Sequence, residues 1–150
     1  MDKLNIDKKL LEYNSIIKEN DRLYHEAAKT FGLPDCAFWI LYVLRESDIK
    51  LTQSEICHAI YYPKQTVNSS LKKLETNGYI QLKQISNHRN KQIYLTPKGI
   101  QLSGMTVDKV MDIEHRALME LGNEEQEVFI RLFRKYTNIL KNNMQKLTKD

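Results

Sequence analysis

The sequence predicts a mainly α-helical chain with a small β component (α+β), and three observations carry that expectation. Both ends repeat apolar residues at three- and four-residue steps, the period of an amphipathic helix. Near the middle, Tyr79-Ile80-Gln81-Leu82-Lys83 and Gln92-Ile93-Tyr94-Leu95 alternate with the period of two that marks half-buried strands. Caps and breakers, finally, fall where one pattern gives way to the next.

At the N-terminus, Leu10, Tyr13, Ile17, Asn20, Tyr24, Ala27 and Phe31 fall on one face of a long helix that Gly32 stops. Pro34-Asp35 opens a second helix whose Phe38, Trp39, Leu41, Tyr42 and Leu44 cover much of its circumference, placing it deep in the core. Thr52-Gln53-Ser54-Glu55 has capping-box form and starts a short third helix, with Ile56, Ala59 and Ile60 turned inward. Tyr62-Pro63 starts a fourth, in which Val67, Leu71 and Leu74 form the buried face and Asn77-Gly78 the left-handed stop. The two strands follow, with Ile80, Leu82, Ile93 and Leu95 facing inward and Ser86-Asn87-His88-Arg89-Asn90-Lys91 as an exposed hairpin tip. Thr96-Pro97 begins a long fifth helix through Leu102, Met105, Val110, Ile113, Ala117 and Leu121. After Gly122, Asn123 caps a sixth helix, with Gln126 placed to complete the box and an apolar face running from Phe129 to Met144.

Two short helices, then two strands around a polar loop, is the plan of a winged helix-turn-helix. Such a lobe needs only residues 34–98. The flanking helices, residues 4–31 and 97–147, carry more apolar stripes than one small lobe covers, so they are expected to bury one another across a two-fold axis as a dimerisation layer. The whole, residues 1–150, reads as one domain without repeats, linkers or low-complexity tracts.

Charge is uneven along the chain. The net charge is +4, yet Tyr61–Lys98 holds seven basic residues against Glu75 alone, which makes that segment +6 and the remainder −2. A basic segment in an otherwise balanced protein suits a polyanion, although a solvated basic face would have the same composition. Within it, the fourth helix presents Gln65, Asn68 and Ser69 between Lys64 and Lys72. Amide side chains pair bidentately with adenine edges in a major groove, and a serine hydroxyl donates or accepts. Thr66, Lys64, Lys72 and Lys73 would hold phosphates, which sets register without reading sequence. At the hairpin tip Arg89 suits a narrow minor groove, with His88 and Lys91 on the backbone.

In order and spacing these pieces resemble the MarR family of bacterial transcription regulators over nearly the full length. The residues that carry the resemblance are Leu51-Thr52-Gln53-Ser54-Glu55-Ile56, Pro63-Lys64-Gln65-Thr66-Val67-Asn68, Leu71-x-x-Leu74-Glu75-x-x-Gly78-Tyr79-Ile80, Arg89-Asn90-Lys91 and Leu95-Thr96-x-x-Gly99. In the wing, Ser86-Asn87-His88 stands where acidic and arginine-rich residues are commonest in the family. The resemblance implies a homodimer on double-stranded DNA at a pseudo-palindromic operator, acting as a repressor that a small molecule relieves. Half-sites would lie about one helical turn, roughly 34 Å, apart. It also implies a small-molecule pocket, for which Tyr24, His25, Trp39 and Tyr42 are the candidates; the same four read equally as core aromatics.

Other classes find less in the sequence. There is no G-x-S-x-G, no Gly-rich phosphate loop and no H-E-x-x-H, so no enzyme, cofactor or metal site is expected. No run reaches the roughly 18 apolar residues of a membrane span, and the N-terminus lacks a secretory pattern, so the expected location is the cytoplasm. Of the two cysteines, Cys36 falls in the first turn of the second helix, where amide dipoles favour a thiolate. That leaves two readings, a redox sensor or a buried structural thiol. A dimeric helical adaptor that keeps the winged fold but binds a protein is the remaining alternative, and salt dependence separates it from a DNA reader.

Overall fold

A computed structural model describes residues 2–85 and 91–148. Its elements are α1 (Lys3–Thr30), α2 (Asp35–Glu46), β1 (Leu51–Thr52), α3 (Gln53–Ile60), α4 (Lys64–Thr76), β2 (Ile80–Gln84), β3 (Lys91–Leu95), α5 (Pro97–Met105), α6 (Val107–Glu120) and α7 (Gly122–Met144), with a short 3-10 turn at Gln145–Thr148. The chain divides into two compact units, residues 1–110 and 111–150. No described helix is long and apolar enough to cross a membrane.

In the first unit α2 is the shared wall of two cores, which explains why its sequence is apolar on nearly every side. Cys36, Ala37 and Ile40 pack with Ile56 of α3, Val67, Leu71 and Leu74 of α4, Ile80 of β2 and Ile93 of β3. Phe38 and Leu41 face the other way, against Ala28 of α1 and Val107 and Val110 of α6. Burying a side chain of this size contributes about 1.5–3 kcal/mol, so α2 ties both clusters to one rigid element. At its C-terminal end Arg45 forms a bidentate pair with Asp108, at 2.9 and 2.8 Å.

The caps predicted at Thr52 and Thr96 form. Thr52 Oγ1 accepts from the Glu55 amide at 3.2 Å and donates to the Glu55 carboxylate at 3.0 Å, so the glutamate answers the hydroxyl and not the backbone. Thr96 Oγ1 accepts from the Gly99 amide and donates to the Gly78 carbonyl. Gly32 and Gly78 take the left-handed conformation, with φ of 70° and 80°.

The sheet is antiparallel in the order β1-β3-β2, with Leu51 opposite Ile93 and Leu82 also opposite Ile93 on the other side. Two residues are too few to show a period, so β1 was not expected from the sequence. The inward set holds with unequal depth, Ile80 and Ile93 being buried and Leu82 and Leu95 half-buried.

Three expectations need correction. Ala59 is exposed, so the inner face of α3 rests on Ile56, with Cys57 and Ile60 packed partly against the core. The long fifth helix is two helices, interrupted at Thr106 with φ −128° and ψ −93°. There the Ser103 and Thr106 hydroxyls donate to the carbonyls of Gly99 and Leu102, both at 2.8 Å, and the Thr106 amide bonds three residues back to Ser103. Such side-chain bonds compete with the helical ladder. The apolar period runs through the break and hides it. In the second unit α7 begins at Gly122, with φ 75°, and Asn123 does not cap it. Gln126 instead donates to the Leu118 carbonyl of α6 at 2.9 Å.

Candidate nucleic-acid interface

Amphipathicity decides what α4 offers to solvent. Its apolar positions 67, 71 and 74 are committed to the core, and this turns Lys64, Gln65, Thr66, Asn68, Ser69, Lys72 and Lys73 outward, all exposed. Six of the seven occupy two flanks, and Lys72 lines neither of the cavities found there. Lys64 and Asn68, one turn apart, line a cavity of ≈ 550 Å³ together with Gln53 and Ser54 of α3, Leu82 of β2 and Lys91 of β3. On the opposite flank Gln65, Thr66, Ser69 and Lys73 line a second groove of ≈ 390 Å³, beside Pro34 and Pro63.

Pro63 is the N-cap of α4 and no side chain caps the helix. Its first turn carries no acid and begins with Lys64. A cation at the positive end of a helix dipole is unfavourable until an anion arrives to share the site.

The predicted wing residues divide by position. Lys91 opens β3 and is exposed on the Asn68 flank, while His88 and Arg89 lie outside the described residues. Behind the wing, Lys50 and Lys83 each stand 4.9 Å from the Tyr94 ring centroid.

Gln53 is the residue that sequence reasoning missed. Its side-chain amide donates to the amide oxygen of Asn68, bridging α3 to the outward face of α4. In the sequence it stood inside a capping box, read as a helix start alone. The detectable signal was an amide at the first position of the helix preceding α4.

Three of the four proposed effector residues come together. Tyr24, His25 and Trp39 line a cavity of ≈ 310 Å³ with Asp21, Asp35 and Tyr62. Tyr42 does not join them. It packs edge-on against Trp39 at 5.2 Å and, with Trp39, Val43 and Glu46, lines a different cavity. Cys36 is buried, and its Sγ lies 4.0 Å from the Thr66 carbonyl. Burial pushes its thiol pKa up and the Cys57 charge adds to this, while a Ser70 hydrogen bond opposes them. That direction is the reverse of what the helix end alone favours, because loss of solvent around the thiolate outweighs the dipole. Among the described residues no three His, Cys, Asp or Glu side chains converge to hold a metal ion.

A lobe of three helices and a three-stranded wing, with a polar and basic helix face beside that wing, defines a winged helix-turn-helix regulator. Comparison with known proteins narrows the class. The MarR family profile matches residues 31–89. An uncharacterized HTH-type transcriptional regulator, YwoH of Bacillus subtilis (strain 168), is 30% identical over 112 residues, which cover 75% of this chain and 81% of that protein. The chain belongs to the MarR family and is a DNA-binding transcriptional regulator, not an enzyme. Among solved structures, the MarR family regulator NMB1585 of Neisseria meningitidis superposes with a TM-score of 0.77 at 17% identity, covering 92% of this chain and 97% of that one. The S. aureus MepR–DNA complex superposes at 0.67 with 24% identity, covering 87% and 96%. At these identities the likeness is one of fold.

Proposed function

We propose that the protein is a sequence-specific repressor that binds a pseudo-palindromic operator as a homodimer and is relieved by a small molecule. The observation that carries this reading is the outward face of α4. Its amide and hydroxyl side chains lie between exposed lysines, over a helix end that lacks both a side-chain cap and an acid, next to Lys91 of the wing. Gln65, Asn68 and Ser69 read base edges in the major groove. Lys64, Thr66, Lys72, Lys73 and Lys91 hold phosphates, and His88 and Arg89, which fall between the two wing strands in sequence, add to the contact. That S. aureus MepR is seen in complex with DNA supports the use of this fold for duplex recognition.

Two-fold assembly is supported by what α7 leaves uncovered. It has no buried residue, and Phe129, Leu132, Phe133, Tyr136, Ile139 and Leu140 are exposed along it. An apolar stripe of that length on a regulator suits burial against a second copy. Effector relief is supported by the cavity beside Trp39.

Selection of bound sequences from random duplex DNA tests the reading. The expected product is two inverted half-sites about one helical turn apart, with affinity falling steeply as salt rises. Lys72→Ala should weaken all duplexes alike and reduce the salt slope by about one unit, whereas Asn68→Ala should relax one base step at a cost of about 1–3 kcal/mol. A flat salt response with no enriched motif would replace this reading with a protein-binding adaptor.

A further inference from the structure

The cavity between α1 and α2 has a composition that selects its ligand. Three aromatic side chains border it, Tyr24 from α1, Trp39 from α2 and Tyr62 from the turn before α4. The Tyr24 and Trp39 rings lie 5.1 Å apart, tilted by 37°, so two π faces converge at its edge. The polar lining is Asp21, Asp35 and His25, with no lysine or arginine. His25 Nδ1–H donates to both Asp35 oxygens, at 2.8 and 3.0 Å, which orients that carboxylate. Burial chiefly, and then the Asp35 charge, holds the Tyr62 hydroxyl above its ordinary pKa, so the field of Asp35 reaches across to that ring.

We propose that this cavity is a binding site for an organic cation, its charge held by Asp21 and Asp35 and its apolar body by Trp39, Tyr24 and Tyr62. With two carboxylates against one imidazole, and no lysine or arginine in the lining, the cavity disfavours an anionic ligand. Aromatic faces attract a cation through the ring quadrupole and prefer a weakly hydrated one, such as a quaternary ammonium. The volume, ≈ 310 Å³, stands at the lower end of the roughly 300–1,000 Å³ of ligand pockets. That suits a compact ammonium with one ring and exceeds what a bare metal ion fills.

The site also has a route to α4. Tyr62 is followed directly by Pro63, the N-cap of that helix. A ligand seated against the Tyr62 ring therefore contacts the residue directly before the one that caps α4, where it can bear on how that helix starts. This regulatory consequence rests on the function proposed above; the binding itself does not.

Trp39 is the chain's single tryptophan and reports occupancy directly. The full-length protein is titrated with benzyltrimethylammonium and, in parallel, with phenylacetate, following Trp39 fluorescence. Saturable quenching by the ammonium alone is expected. Asp21→Asn, at an exposed position, should weaken it roughly 3- to 5-fold, and Asp21→Asn with Asp35→Asn about 10-fold or more. Equal binding of phenylacetate, non-saturating quenching, or unchanged affinity in Asp21→Asn overturns the site. Duplex binding is then measured with and without benzyltrimethylammonium. Lower DNA affinity supports the route through Tyr62, and unchanged affinity overturns that route while leaving the site. Failure to bind DNA under any condition removes the proposed operator function and leaves the fluorescence result standing.

Discussion

Gln53 donates its side-chain amide to the amide oxygen of Asn68, joining the first residue of α3 to the exposed face of α4. An amide side chain reads adenine only when its oxygen and nitrogen point the correct way, and a free asparagine on a helix surface flips between the two. The oxygen has two lone pairs, so accepting from Gln53 fixes the orientation and leaves one acceptor site for a base. Asn68→Ala is expected to cost about 1–3 kcal/mol of discrimination at one base step, and Gln53→Ala a smaller loss at the same step, about 1 kcal/mol. Because Gln53 acts through Asn68, the double variant should match Asn68→Ala alone. Binding-site selection on all three checks this, and additive losses would show that Gln53 contacts DNA independently.

Gly99 lies where α5 meets the end of α4, and a Cβ there would stand 2.0 Å from the Tyr79 carbonyl oxygen. Backbone has little room to yield, because the same oxygen accepts from the Thr96 amide at 3.0 Å and Lys98 Nζ bonds the Asn77 carbonyl at 2.8 Å. Gly99→Ala is expected to destabilise the fold by about 3 kcal/mol, or roughly 6–12 °C in Tm for a chain of this size. Gly104, in the same helix, has nothing within 4 Å of an added Cβ. Gly104→Ala should be neutral or stabilise by up to about 1 kcal/mol. Thermal melts at one protein concentration compare them, and similar melting points for the two variants would contradict the close approach.

Much of this architecture was legible in the sequence because it rests on local chemistry. The capping threonines at 52 and 96, the glycine stops at 32 and 78 and the apolar triplet 67, 71, 74 each act within one or two turns, so their residues disclose them. What stayed hidden depends on distant partners or on geometry that the apolar period does not record. β1 exists only because Leu51 and Thr52 meet β3 some forty residues on. The break at Thr106 comes from hydroxyls that leave the hydrophobic pattern intact. Within the candidate site, the basic and amide residues of α4 were recoverable from periodicity. The Gln53 bridge and the carboxylates beside Trp39 were not, since they pair residues from different helices.

Phe129 and Phe133 stack along α7 with centroids 5.9 Å apart, next to Leu132, which is 49% exposed. If this stripe is the seam between two copies, one charge at its centre should abolish assembly, since an unpaired carboxylate in an apolar contact costs more than such a contact returns. Phe133→Glu is expected to sediment as a monomer, retain its helical circular dichroism, and lose at least an order of magnitude in affinity for a palindromic duplex. A Phe133→Glu protein that still sediments as a dimer would place the seam elsewhere.

Cys36 supplies a pH dependence whose sign follows from its burial. Its thiol pKa is raised above the ordinary value of 9.0, chiefly by loss of solvent, so the folded chain holds the proton more tightly than the unfolded chain. The associated stability is complete below the unfolded pKa. It declines as pH climbs past about 9, where the unfolded thiol ionises first, and is lost once pH passes the raised folded value. Tyr62, also raised by burial, adds a second decline of the same sign above its ordinary value of 10.0. Urea unfolding from pH 7.5 to 10 should therefore show falling stability in the wild type. In Cys36→Ala the fall should be shallower between pH 8.5 and 10, whatever the absolute cost of the small cavity. The slope and not the midpoint is the decisive quantity, because the cavity shifts stability equally at every pH. Equal slopes would mean that Cys36 ionises as readily in the fold as in the unfolded chain, and the buried thiol would then regain its standing as a redox candidate.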